Sequence, residues 1–137
     1  MQRQTPWKML SACLLLGMTL PVFAHDDGQE QIGKLREEVL QDAPGKRALM
    51  ITVSYQAGQK STAHVHPGSV FAYVLEGSVV SQLQGHKPVT YKTGESWYEP
   101  ANTPHLVSRN ASDTQPAKLL VWLLLDEKAP VKLPLTQ

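Results

Sequence analysis

Cysteine is almost missing from this 137-residue chain: Cys13 stands alone. It lies in an apolar run near the N-terminus, so the remainder has neither a disulfide nor a thiolate ligand. Stability must then come from an ordinary apolar core, and the length suffices for one domain that has one. An excess of charge is missing too. Thirteen basic residues face twelve acidic ones, for a formal net charge of +1, which excludes the basic surface of a nucleic-acid binder. There is no amphipathic cationic helix to lie on a membrane, no internal repeat and no low-complexity segment. The longest apolar run, Met9 to Leu20, is about a dozen residues, short of the roughly 20 needed to span a bilayer.

That run follows Arg3 and Lys8 with no acid among them, and "PVFA" follows it, offering Val22 and Ala24 as small residues for a signal peptidase. The pattern predicts a secretory signal peptide over residues 1–24, a mature chain from His25 and a periplasmic or secreted protein with no stable membrane insertion after cleavage. Cys13 sits inside the run and not after it, so lipid attachment is not expected. An N-terminal arm is expected over 25–45, a folded body over 46–127 and a proline-broken tail over 128–137.

Within the body, short β-like runs alternate with turn residues: "ALMITVSYQ", "TAHVH", "SVFAYVLE", "SVVSQLQ", "VTYK", "SWYE", "HLVSRN" and "KLLVWLLL". Strands recurring every 8–12 residues without a convincing long helix predict an all-β sandwich or barrel. "KLLVWLLL" is the most apolar and is expected to be central and covered on both faces. "IGKLREEVLQ" fits either a helical face or an edge strand.

Two histidines, His64 and His66, stand two apart, so both side chains fall on one face of a strand. Imidazole is the commonest neutral metal ligand, and such a pair fixes two neighbouring coordination positions. An isolated pair can equally be a polar surface. A third histidine, His105, follows a loop stiffened by Pro100 and Pro104. His86, in "QGHKP", reads as a surface turn.

These residues resemble the two motifs of small single-domain cupins. Gly58, five residues, His64-Val65-His66 and then Gly77 is similar to the first motif. Gly94, five residues, Pro100, Asn102 and His105 is similar to the second. The resemblance covers roughly Ala48 to Leu125. It implies a double-stranded β-helix, or jelly-roll barrel, with His64, His66 and His105 pointing inward around one divalent metal, and a homodimer paired through sheet edges. Three departures stand out. The Glu expected four residues after the second histidine is Val70. The expected Gly is Asn102, which also tolerates a left-handed backbone. The expected Asn is Arg109, with Asn110 one place late, consistent with a bulge or a longer strand.

Without the carboxylate, three neutral imidazoles suit Fe, Cu, Zn or Ni better than Mg or Ca, which prefer oxygen. Metal affinity is expected to fall below the free-imidazole pKa of about 6.5. An inward Val70 brings Ala72 and Val74 inward with it, and Trp97 and Val107 are expected to line the same small apolar pocket. Tyr98 and Arg109 are the candidate catalytic residues, and Glu99 is expected at the solvated rim. The function expected is a metal-dependent, dioxygenase-type oxidoreductase acting on a small organic molecule; the alternative is a non-enzymatic module that binds a small ligand or metal.

Overall fold

Period-two burial shows first in the most apolar segment. In Ala117–Asp126 the residues Ala117, Leu119, Val121, Leu123 and Leu125 are buried, while Lys118, Leu120, Trp122 and Leu124 between them are half-buried. That alternation is a strand with one face in a core. The computed structural model describes residues 30–135, so the signal peptide expected over 1–24 and His25 lie outside the described residues. Every regular element among those described is a strand: β1 (Gln31–Val39), β2 (Lys46–Tyr55), β3 (His64–Val65), β4 (Ser69–Glu76), β5 (Ser78–Leu83), β6 (Val89–Lys92), β7 (Ser96–Glu99), β8 (His105–Asn110), β9 (Ala117–Asp126) and β10 (Leu133–Pro134). None of the described residues forms a helix long and apolar enough to cross a membrane.

The strands form two antiparallel five-stranded sheets, ordered β1-β2-β9-β4-β7 and β10-β3-β8-β5-β6. Alternate residues of β2, β4 and β9 meet Val79 of β5 in a single core, where Val74, Leu123 and Leu125 are fully enclosed. This is the double-stranded β-helix that the resemblance to the two cupin motifs implies. The chain crosses between the sheets at Gly77, whose φ is +70°. A Cβ there would lie 2.5 Å from the Pro116 carbonyl oxygen, so the crossing admits only glycine.

Three expectations resolve or change. "IGKLREEVLQ" is the edge strand β1, exposed along its length and paired to β2. β9 is central, between β2 and β4, but its outer face is only half covered, because among the described residues no third layer packs on the first sheet. The tail does not simply trail away: Leu133 and Pro134 pair with Val65 and His64, adding β10 beside β3.

Candidate metal centre

β3 is only two residues long because Pro67 follows it and the chain must turn into β4. Its register sets His64 directly opposite His105 of β8. The two rings lie 5.2 Å apart between centroids, and His64 meets His66 edge to face at 4.7 Å. His64 and His105 are buried. All three line one cavity of about 60 Å³ with Val70, Ala72 and Trp97, room for on the order of four water molecules. Glu30 and Lys132, paired at 2.7 Å, also border this cavity, so the described N-terminal residues and the tail close it together.

The histidine nitrogens are constrained by what they face. His64 Nδ1 lies 2.7 Å from the Thr62 carbonyl and His66 Nδ1 lies 2.6 Å from the Val131 carbonyl. A carbonyl oxygen only accepts, so both Nδ1 atoms carry hydrogen and, in the neutral rings, both Nε2 atoms present lone pairs. Those two Nε2 atoms are 3.1 Å apart. Two lone pairs at that distance repel unless a proton or a metal cation lies between them. Two nitrogens bound at 2.0–2.1 Å to one ion, at this spacing, subtend roughly 100°, between octahedral and tetrahedral angles. The pair therefore fits a transition metal.

A proton is the poorer occupant. Burial pushes the His64 imidazole from 6.5 down to about 4, against the opposing pull of the Thr62 carbonyl. Burial also lowers His66, opposed by the Val131 carbonyl and the nearby Glu99. The pH window expected for loss of metal thus moves below the free-imidazole value at His64. A prediction follows for the metal-free protein. As pH falls from 6.5 towards 4, the unfolded chain gains a proton at His64 that the folded chain refuses. Stability is then lost through that window and is unaffected above it. The slope should approach 1.4 kcal/mol per pH unit. Urea unfolding between neutral pH and about pH 4.5 measures it, and a flat profile would contradict the buried, neutral pair.

His105 is engaged differently. Its Nε2 lies 2.9 Å from the Ser81 hydroxyl, and its Nδ1 stands 3.2 Å from Glu99 Oε2. Among the described residues no three His, Cys, Asp or Glu side chains are therefore arranged to hold an ion as they stand.

Several side chains depart from expectation. Glu99 is not at the rim: it is 4% exposed, at the end of β7 opposite Val70. Trp97 Nε1 donates to its Oε1 at 2.8 Å. Its Oε2 has no hydrogen-bond partner, because the His105 approach is close but not aligned. Burial raises the Glu99 carboxyl, but His105, then Trp97 and His66, outweigh that and hold it below the ordinary carboxylate value. Tyr98, between the inward Trp97 and Glu99, points outward and packs on Phe71 at 5.0 Å. Val74 is buried in the core beyond the histidine cavity. β8 carries a bulge: Val107 pairs with Gln82 and His105 with Leu83, leaving Leu106 extra. The extra residue turns Val107 to an outer groove and Arg109 to the surface. It also brings Asn110 inward, where its amide donates to the Gln56 and Gln115 carbonyls. The bulge, not a longer strand, explains the late asparagine. Asn102 has φ +60°, as its place in the motif requires.

Comparison with known proteins adds to this geometry. The family model described as Cupin domain matches residues 51–123. No curated protein matches the sequence significantly. Among solved structures, DMSP lyase DddQ from Ruegeria pomeroyi aligns at 20% identity and TM-score 0.62, over 77% of this chain and 51% of that one. An RmlC-like cupin family protein with a double-stranded beta-helix fold from Methanocaldococcus jannaschii aligns at 19% identity and TM-score 0.58, over 80% and 94%. A recombinant oxalate oxidase in complex with glycolate aligns at 16% and 0.62, over 80% and 57%. The chain thus spans about half the length of the DMSP lyase, and at these identities the likeness is one of fold.

Proposed function

From the premise that this chain belongs to the cupin domain family, we propose that it is an exported, metal-dependent cupin. In this reading His64, His66 and His105 hold one divalent transition metal beside a small apolar chamber, and the protein acts as a dioxygenase-type oxidoreductase on a small organic substrate. The observation that carries the metal reading is the pair of Nε2 lone pairs 3.1 Å apart, each aimed by a backbone carbonyl behind it.

Bound there, Fe or Cu would supply a redox-active centre for reaction with O₂; in a dioxygenase both oxygen atoms enter the product and the substrate supplies the electrons. The chain's own residues do the rest. Thr62 and Val131 fix the tautomers and ring directions of two ligands, as supporting partners do in metal sites. Val70, Ala72 and Trp97 give the chamber a small, largely apolar lining. Glycolate in an oxalate oxidase, and DMSP as a lyase substrate, are small molecules handled on this fold, which supports a small substrate. Neither Tyr98 nor Arg109 faces the chamber, so both leave the set of catalytic candidates.

The test is elemental analysis of the protein purified from its own compartment without chelator, followed by O₂ uptake with thiol, diketone and phenolic substrates. One equivalent of Fe, Cu, Zn or Ni per chain and substrate-dependent O₂ uptake are expected. Absence of metal would sink the reading. One equivalent of a redox-inert metal with no O₂ uptake would leave the binding-module alternative. Recovery in the periplasmic or secreted fraction, shortened at the N-terminus, checks export.

A further inference from the structure

Val70 stands where the first motif would place a carboxylate, and its cross-strand partner is Glu99. Directly opposed residues on antiparallel strands put their side chains on the same face, with Cβ atoms about 5 Å apart. A glutamate at 99 can therefore reach the volume that a glutamate at 70 would enter. We propose that Glu99 is the missing acid: a carboxylate moved one strand sideways, from β4 to β7, that completes the centre as a fourth, anionic metal ligand. The proposal rests on the metal reading of His64 and His66.

Three observations carry it. Glu99 is 4% exposed and lines the same cavity as the three histidines. Trp97, two residues back on the same face, holds Oε1 at 2.8 Å and so aims the carboxylate. Oε2 is buried without an aligned hydrogen bond, its nearest partner being His105 Nδ1 at 3.2 Å, and leaving a buried charged oxygen so poorly satisfied is costly. A cation beside Oε2 removes that cost, just as it removes the repulsion between the two imidazole lone pairs. The same ion answers both defects. Placement of the acid on β7 also explains why position 70 is apolar: a second carboxylate opposite Glu99 would face a like charge across the strand pair. The consequences are specific. The bound ion loses one unit of net positive charge, and one fewer coordination position is open to substrate.

The competing role for Glu99 is to orient His105 through the 3.2 Å approach to its Nδ1. Substitutions separate the two. Glutamine keeps an acceptor for an imidazole N–H but removes the charge; alanine removes both. Zn²⁺ and Co²⁺ affinity is measured by chelator competition, with the Co²⁺ visible spectrum as a report on ligand number. Folding of every variant is checked by thermal unfolding.

If Glu99 is a ligand, Glu99→Gln weakens Co²⁺ binding at least about tenfold, the lower end of what even a supporting residue contributes, and alters the spectrum. The swapped double variant Val70→Glu/Glu99→Val restores affinity to within a few-fold of the parent. The swap also keeps the proposal testable should Glu99→Gln fail to fold. Parent-like affinity and spectrum in Glu99→Gln overturn the proposal, as does loss in Glu99→Ala alone, which is the signature of orientation. His66→Ala serves as the separate control. If it loses metal while Glu99→Gln does not, the histidine centre stands without Glu99. If neither loses metal, both readings fall.

Discussion

Replacing His66 with alanine is expected to lower transition-metal affinity more than a hundredfold while leaving the barrel folded. Supporting residues around metal sites are worth 10–100-fold, so a direct ligand exceeds that range. His66 lies in the turn between β3 and β4 and contributes nothing to the apolar core, so the fold does not depend on its ring. Its loss breaks the hydrogen bond from Nδ1 to the Val131 carbonyl and the edge-to-face contact with His64. The variant should also lose the close Nε2 pairing that disfavours a cation-free centre. Competition with a chromophoric chelator, together with circular dichroism, measures both. Parent-like affinity in a folded His66→Ala protein would remove the pair from the metal centre altogether.

Gly68→Ala should be strongly destabilising, by roughly 4 kcal/mol or more, above the usual cost of overpacking because the clash is with backbone. The added Cβ would meet the Leu124 carbonyl oxygen at 2.0 Å and Leu125 Cδ2 at 2.8 Å. Leu124 belongs to the central strand and pairs with Ser69, the residue after Gly68. Neither backbone can yield without parting β4 from β9. The expected fall in thermal midpoint is roughly 15 °C or more. Gly45→Ala is the informative contrast. Gly45 has φ +78° but nothing within 4 Å of an added Cβ, so only backbone strain of about 1–2 kcal/mol applies. Equal losses in the two variants would contradict the close approach at Gly68. Because Gly68 follows His66 by two residues, its loss should also loosen the histidine turn.

Much of the architecture is legible in short stretches. The apolar run "KLLVWLLL" marks a central strand, as β9 is, and period two counted from an inward Val70 selects Ala72 and Val74, both buried on β4. His64 and His66 share a direction for the same local reason. Pairing with β2 overrides the helical alternative for β1, and among the described residues no layer covers Ile32, Leu35 and Val39. Glu99 is legible in the same way: with Trp97 inward, period two puts Glu99 inward and Tyr98 outward. The directions of Val107 and Arg109 are not legible locally. A bulge adds one residue to one strand only, and the mismatch between β5 and β8 exists only once the two are paired.

What depends on neighbours within a few residues follows from the sequence alone: the strands and turns, the shared face of His64 and His66, the left-handed Asn102 and the two motifs whose resemblance to those of cupins implies a jelly roll. The tertiary structure alone decided what depends on register between distant segments. It set Val70 against Glu99, His64 against His105, and the Val131 carbonyl against His66. Cross-strand partners are chosen by how the whole barrel packs, and a shift of one residue turns every side chain of a strand to the opposite face. That Glu99 stands directly across from Val70 is therefore seen only across the sheet.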